Sequence, residues 1–170
     1  MLNTRCQIGE ETAEDWPQVR RVNEAAFGRR DEADLVEQLR AENAVLASLV
    51  AQVDADVVGH ILFSRMWIEG GEQRVAAAAL APLAVAPAHQ RSGIGGELVR
   101  GGLEILRQRG ESIVIVLGHP DYYPRFGFSC EGTRLLEHPF RPDAYMALEL
   151  KPGALAAARG RVRYAGAFGL

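Results

Sequence analysis

The chain has 170 residues, of which 48% are hydrophobic and 24% charged, and its formal net charge at pH 7 is −3. This length and composition predict one globular domain, residues 1–170, with a substantial hydrophobic core. The slightly negative charge argues against a nucleic-acid partner, whereas a small or positively charged substrate is compatible with it.

The amino-terminal segment predicts no export from the cell. MLNTRCQIGEETAEDW carries acidic residues where a signal peptide needs an apolar run. The most apolar later stretch, VAAAALAPLAVA, is too short to cross a bilayer and contains Pro82. Cys6 and Cys130 are distant from each other and show no metal-like spacing, as expected in a reducing compartment. We therefore expect a cytoplasmic protein without a membrane partner.

A short strand over residues 5–9 and two helices are predicted to open the chain. Thr12 and Asp15 form a helix-start box, after which apolar residues recur at helical spacing as far as Gly28. A second helix fits residues 31–42, because the acids of its first turn complement the helix dipole.

Three strands joined by tight turns are predicted next. LASLVAQV, VVGHILFSRMWI and RVAAAALAPLAV are rich in β-forming residues and are separated by Asp- and Gly-containing turns. This order predicts an antiparallel meander. Pro82 cannot donate to a ladder, so it marks an edge, a bulge or a place where two strands part.

Gly93, Gly95 and Gly96 precede or open a broad amphipathic helix, which the buried strand SIVIVLG follows. A strand, a helix and a second strand in this order predict a crossover connection with the two strands parallel. Farther on, PDYYPRF is predicted as a short helix, AYMALEL as a strand and GRVRYAGAF as a final extended segment.

The glycines at this helix start suit an anion. The first N–H groups of a helix lack partners and lie at the positive end of its dipole, and glycine lets a phosphate approach them closely. Glu97 and Leu98 stand where a P-loop needs Lys and Ser or Thr, and Leu98 also breaks the dinucleotide fingerprint. A diphosphate site and a ligand-free turn both remain open on these residues alone.

PLAVAPAHQRSGIG, VLGHPDYYPRFGF and RVRYAGAF together resemble the bacterial branch of the GNAT superfamily of N-acetyltransferases, and the resemblance covers essentially the whole chain. It implies an α+β fold with α/β/α layers, whose mixed, mostly antiparallel central sheet is split near the strand that binds acetyl-coenzyme A (acetyl-CoA). It also implies two sets of contacts to this acetyl donor. The pantetheine arm would contact Leu83, Ala84 and Val85, and the pyrophosphate would contact Gln90, Arg91, Ser92, Gly93, Ile94, Gly95 and Gly96.

The resemblance also implies a proton donor for the leaving thiolate. The superfamily places a tyrosine four residues before a Gly-Phe pair, which here is Tyr123, and the same tyrosine would orient the sulfur of the donor. Tyr122 is expected to point elsewhere. The alternative is that both tyrosines only pack. Many members also carry an asparagine before this segment, and VLGHPD has none.

The base that deprotonates the amine is left open by the sequence. No acid occurs in VAAAALAPLAVA, the strand from which some GNAT enzymes supply a glutamate. His60, His119 and Glu131 are the side-chain candidates, and deprotonation through ordered water is equally compatible. The four histidines lie far apart in the chain, so no metal site is expected.

Two functions are compatible with this sequence. The first is an N-acetyltransferase in which a primary amine attacks acetyl-CoA directly within a ternary complex. The second is a module that binds or senses acyl-coenzyme A without catalysis. The acceptor is not readable from the sequence. The resemblance implies that segments such as GRRDEADLVEQLRAEN and HPFRPDAY select it, and the acids Asp31, Glu32 and Asp34 either attract a cation or only complement the helix dipole. The carboxy-terminal segment either completes the sheet or pairs with a second copy, so a homodimer is possible.

Overall fold

The computed structural model describes residues 5–170. Residues 1–4 of the amino-terminal segment interpreted above lie outside this range. Three helices are formed, α1 (Trp16–Phe27), α2 (Asp31–Ala41) and α3 (Ile94–Gln108). The strands are β1 (Gln7–Glu10), β2 (Val45–Val53), β3 (Asp56–Gly70), β4 (Gln73–Val85), β5 (Ile113–Leu117), β6 (Leu136–Glu137), β7 (Tyr145–Glu149) and β8 (Gly160–Arg163).

The strands form one mixed sheet in the order β1-β2-β3-β4-β5-β7, and β8 pairs with both β3 and β6. β1 to β4 form the predicted antiparallel meander with an added first strand. β4 and β5 are parallel across α3, as the crossover predicted, and β5 and β7 are antiparallel. The mixed, mostly antiparallel sheet is therefore confirmed.

Helices cover both faces of the sheet because neighbouring strand residues point to opposite sides. Leu49 of β2 packs in the cluster that contains the apolar face of α3. The next residue, Val50, packs with α1 and α2, including Val19 and Leu39. The α/β/α layering follows directly from this alternation.

The sheet splits at Pro82. β4 pairs with β5 only through residues 78–80, although β4 continues to Val85. On the side of β4 that pairs with β3, Ile61 pairs with Leu83 and Phe63 pairs with Leu80. Two residues of β4, Ala81 and Pro82, therefore lie opposite the single residue Leu62 of β3, which is a β-bulge. This bulge bends the second half of β4 away from β5 and leaves a gap between them.

The carboxy-terminal third departs from the sequence prediction in detail. Only the first four residues of GRVRYAGAF form a strand, and that strand completes the sheet of the same chain beside β3. The two-residue strand β6 was not predicted. PDYYPRF contains a single 3-10 turn, Tyr123–Phe126. Within residues 5–170, no helix has the length and apolar character that a bilayer crossing demands.

Candidate active site

A cleft of about 1210 Å³ opens where β4 and β5 part. One wall is the end of β4 with the loop and first turn that lead into α3. A second wall is the segment that follows β5, and a third is the connection between α1 and α2. Of the site residues that the sequence indicates, the cleft is lined by Leu83, Val85, Gln90, Arg91, Gly93, Ile94, Gly95, Gly96 and Tyr123.

Unpartnered backbone N–H groups gather at the start of α3. Gly93 caps the helix with a left-handed φ of 88°, and the first hydrogen bond of the helix runs from Glu97 N to Gly93 O at 3.1 Å. Among residues 5–170, no acceptor pairs with the N–H groups of residues 91–96. Main-chain donors at the positive end of a helix dipole form an anion site.

Three arginines surround these donors. Arg91, Arg100 and Arg125 all line the cleft, and no carboxylate of the described chain lies within ion-pair distance of them. Instead, the Arg100 guanidinium lies over the ring of Phe126 at 5.1 Å, and that of Arg125 lies over Tyr122 at 4.6 Å. This end of the cleft therefore carries uncompensated positive charge. Arg100 and Arg125 were not among the predicted site residues, since nothing in their sequence spacing brings them to the glycines.

The end of β4 offers free polar groups to the gap. Ala86 N donates to Val58 O at 2.8 Å, and Ala84 is in register with His60 on β3. Because hydrogen bonding alternates along an antiparallel pair, the N–H and C=O groups of Leu83 and Val85 face the other way, toward the gap. The Val85 carbonyl is engaged there by Gln90 Nε2 at 2.9 Å.

Two of the predicted contact residues lie off the cleft. Ala84 is buried beneath α1 and α2, and its backbone groups are directed toward β3 by the same alternation. Ser92 is exposed and its hydroxyl donates to the carbonyl of His89 instead of facing the cleft. Neither side chain lines the cavity.

Tyr123 sits in the second wall and is only 7% exposed. Its ring packs edge-on against Tyr122 and Phe128, with centroids 5.1 and 5.7 Å away. Burial raises the pKa of Tyr123 above its usual range, so the phenol keeps its proton. No hydrogen bond to its hydroxyl is formed within residues 5–170, which leaves that group available to a ligand.

Tyr122 lines the same cleft, so the expectation that it points elsewhere was wrong. Its hydroxyl lies over the first turn of α3, where it is 2.9 Å from the position that a Cβ at Gly95 would take. Burial raises the pKa of this phenol too, and the nearby guanidinium of Arg125 opposes that rise.

Of the three side chains considered as the base, only His119 lines the cleft. His60 is fully buried, with Nε2 2.8 Å from Ser48 Oγ and Nδ1 3.1 Å from Asn23 Nδ2. Desolvation lowers the pKa of His60 to about 3. Glu131 is exposed and pairs with Arg134 at 3.1 Å. Across residues 5–170, no group of three His, Cys, Asp or Glu side chains is arranged to hold a metal ion.

The third wall falls largely in GRRDEADLVEQLRAEN, one of the segments that the family resemblance implies as selecting the acceptor. Phe27, Arg29, Glu32 and Leu35 come from the connection between α1 and α2 and line the cleft. Phe27, which precedes that segment, was not predicted as a site residue. The exposed Phe27 beside a charged turn is the signal that could have indicated a ligand wall.

Comparison with known proteins identifies the family of the chain. The family model described as an acetyltransferase (GNAT) domain matches residues 7–130. The uncharacterized N-acetyltransferase YjhQ of Escherichia coli K12 is 43% identical over 129 residues, which is 74% of this chain and 71% of that protein. The uncharacterized N-acetyltransferase YhbS of the same strain is 31% identical over 153 residues, or 88% and 90% of the two chains.

Solved structures extend the likeness to the whole fold. The crystal structure of YhbS from Escherichia coli in complex with CoA has a TM-score of 0.92 at 30% identity, covering 100% of this chain and 95% of that one. A GNAT family acetyltransferase from Brucella melitensis in complex with acetyl-CoA has a TM-score of 0.82 at 36% identity, covering 98% and 99%.

Proposed function

Because the chain belongs to the GNAT family of acetyltransferases, we propose that it transfers an acetyl group from acetyl-CoA to a primary amine. The observation that carries this proposal is the row of unpartnered N–H groups at residues 91–96, facing a cleft where two parallel strands separate. The two solved relatives described above, one with CoA and one with acetyl-CoA, support the same donor here.

The residues present fit this donor. The pyrophosphate would be held by the backbone N–H groups of residues 91–96, with Arg91, Arg100 and Arg125 balancing its charge. The amides of the pantetheine arm would add to the free edge of β4 at Leu83 and Val85, as an extra strand does. Ala84 and Ser92 would then serve as spacers in these segments and make no side-chain contact.

The bound thioester would supply an electrophilic acyl carbon, which a neutral amine can attack. A bond forms between the amine nitrogen and the acyl carbon, and the bond between that carbon and sulfur breaks. Tyr123 gives its proton to the leaving sulfur. Burial keeps this phenol protonated until the thiolate departs, although the raised pKa also makes it a weaker acid. The proton lost by the amine goes to His119 or to water at the mouth of the cleft.

Direct attack is favoured over an acetylated enzyme. Such an intermediate would need a nucleophilic side chain beside the donor, most simply a thiol. The two cysteines of the chain, Cys6 and Cys130, both lie outside the lining of the cleft. The amine would therefore react within a ternary complex.

A module that binds acyl-CoA without transferring the acyl group is the second candidate. It is favoured by one observation, that the only carboxylate in the described cleft lining, Glu32, is occupied by Arg29 and cannot act as a free base.

The cytoplasmic location and the homodimer stay predictions from the sequence.

One assay separates the two functions. Purified protein is mixed with acetyl-CoA and a panel of primary amines, and free thiol is followed over time. The acetyltransferase releases thiol in proportion to an acetylated amine, whereas the binding module shows acetyl-CoA binding by calorimetry and no amine-dependent thiol.

A further inference from the structure

The third wall of the cleft, formed by the connection between α1 and α2, makes none of the contacts assigned to acetyl-CoA. Phe27 and Leu35 give this wall an apolar surface, and Leu117, half exposed at the end of β5, faces the same cavity. Arg29 and Glu32 are the charged residues in its described lining, and the exposed Asp31, outside the lining, lies 3.8 Å from Arg29 Nε. Since the α3 wall and the segment after β5 carry the donor contacts, these residues are the ones left for the acceptor.

Glu32 holds the guanidinium of Arg29 by one edge. Arg29 Nε lies 3.1 Å from both carboxylate oxygens of Glu32, and Arg29 Nη2 also contacts Oε1. The pKa of Glu32 is lowered by this contact and that of Arg29 is raised, so both groups stay charged. The N–H groups of Nη1, on the opposite edge of the guanidinium, make no hydrogen bond to Glu32.

Exposure decides which charge the acceptor meets. The side chain of Glu32 is 14% exposed and that of Arg29 is 61% exposed. Both oxygens of Glu32 are already engaged, whereas a fixed guanidinium with a free edge is the usual partner of a carboxylate. Within the cleft lining, Glu32 therefore has no free oxygen for a positively charged group, whereas the guanidinium of Arg29 keeps a free edge for a carboxylate.

We propose that the acceptor is a primary amine that carries a carboxylate and an apolar side chain, the chemistry of an apolar α-amino acid. Arg29 binds the carboxylate, and Phe27, Leu35 and Leu117 contact the side chain. This proposal rests on the proposed acetyltransferase function, because it names the substrate class of that same cleft.

The test compares amines that differ only in the carboxylate. L-phenylalanine is paired with phenethylamine, and L-leucine with 3-methylbutylamine, and both binding to the CoA complex and thiol release from acetyl-CoA are measured. We expect the amino acid to be preferred at least about tenfold in each pair, the usual effect of a charge-assisted hydrogen-bond pair.

The matched variants are Arg29→Gln and Arg30→Gln. Arg30 is the next residue, is equally positive and exposed, and lies outside the cleft lining. We expect Arg29→Gln to abolish the preference for the amino acids, and Arg30→Gln to behave as the parent protein.

The outcomes separate the two proposals. Equal use of both members of each pair, or equal effects of the two arginine variants, overturns the acceptor assignment while the acetyltransferase function stands. Arg29-dependent binding of the amino acids without thiol release supports the acceptor site and overturns the transfer reaction. No binding and no thiol release with any of the four amines overturns the acceptor assignment.

Discussion

The ring of Tyr123 lies directly on Gly118: a Cβ at residue 118 would be 2.2 Å from Tyr123 Cε2, where no side chain can fit. Gly118 lies within VLGHPD, the segment in which the family resemblance implies an asparagine. Its role here is steric, because the absence of a side chain lets the buried phenol reach the cleft.

Replacing Gly118 with alanine should displace the phenol. A misplacement of about 1 Å at a reacting group can cost about a hundredfold in rate, so we expect kcat to fall by that order while acetyl-CoA affinity is kept. Gly102→Ala is the matched control, because its Cβ would also be 2.2 Å from a ring, that of Phe63 in the core. It should lower stability and leave kcat per folded molecule unchanged. Equal loss of kcat in both variants would contradict the steric role.

Tyr123→Phe removes only the proton that we assign to the leaving sulfur. General acids contribute about 10²- to 10⁴-fold, and we expect a loss of kcat in that range with acetyl-CoA affinity near that of the parent. Tyr122→Phe is the control, since its hydroxyl lies over the first turn of α3 and should affect acetyl-CoA affinity more than kcat. Steady-state kinetics with calorimetry distinguishes the two. A reversed pattern would transfer the donor role to Tyr122.

Gly93→Ala should weaken acetyl-CoA binding through the backbone. Gly93 has a φ of 88° and open space around its Cβ position, so alanine meets no atom and pays only the strain of a left-handed conformation, about 1–2 kcal/mol. Relieving that strain shifts the donors of residues 91–96. We expect at least about tenfold weaker binding, which corresponds to the loss of about one hydrogen bond to a charged group.

Gly153→Ala is the matched control for Gly93→Ala. Gly153 has a φ of 83° and the same open surroundings, and it caps a 3-10 turn outside the cleft, as Gly93 caps α3. Both variants should lose similar stability in urea denaturation, and only Gly93→Ala should lose affinity. If the two bind acetyl-CoA alike, the α3 turn does not hold the pyrophosphate.

His60 should make the protein sensitive to mild acid. Burial and, to a lesser degree, Arg40 lower its pKa from 6.5 in the unfolded chain to about 3 in the fold. Glu11 Oε2 lies 3.9 Å from His60 Nε2, but it is paired with Arg40 at 2.7 Å, so burial dominates. Between these two pKa values the unfolded chain binds the extra proton, so stability falls as pH falls below 6.5, by up to about 1.4 kcal/mol per pH unit.

The variant His60→Gln removes this titration and can still hydrogen-bond. Urea denaturation between pH 7.5 and pH 4.5 should show a shallower loss of stability than in the parent protein. Parallel curves for the parent and His60→Gln would show that His60 is not held neutral in the fold.

The helices and the meander could be predicted because their signals are local. Gly28 ends α1 with a left-handed φ of 68°, and Pro82 marks the bulge at which the sheet splits. The carboxy-terminal strands could not, because β8 is four residues long and depends on pairing with β3, from which it is about 90 residues distant in the chain. Such pairing leaves almost no periodic pattern in so short a segment.

The site residues also divide into those with a local sequence signal and those that only tertiary packing brings together. The loop from Gln90 to Gly96 carries its chemistry in its own backbone, so the sequence could indicate it directly. Arg100, Arg125 and the Arg29–Glu32 pair enter the cleft from three separate segments, and only the packing of the helices on the sheet brings them together. His60 was a base candidate because a histidine in a strand looks the same whether it faces a cleft or the core.

A crystal structure of the protein with acetyl-CoA would show where the pyrophosphate binds. We expect pyrophosphate oxygens within hydrogen-bond distance, about 3 Å, of backbone nitrogens among residues 91–96, with the thioester beside Tyr123. A pyrophosphate bound elsewhere, with those nitrogens still lacking a partner, would contradict the proposed donor site.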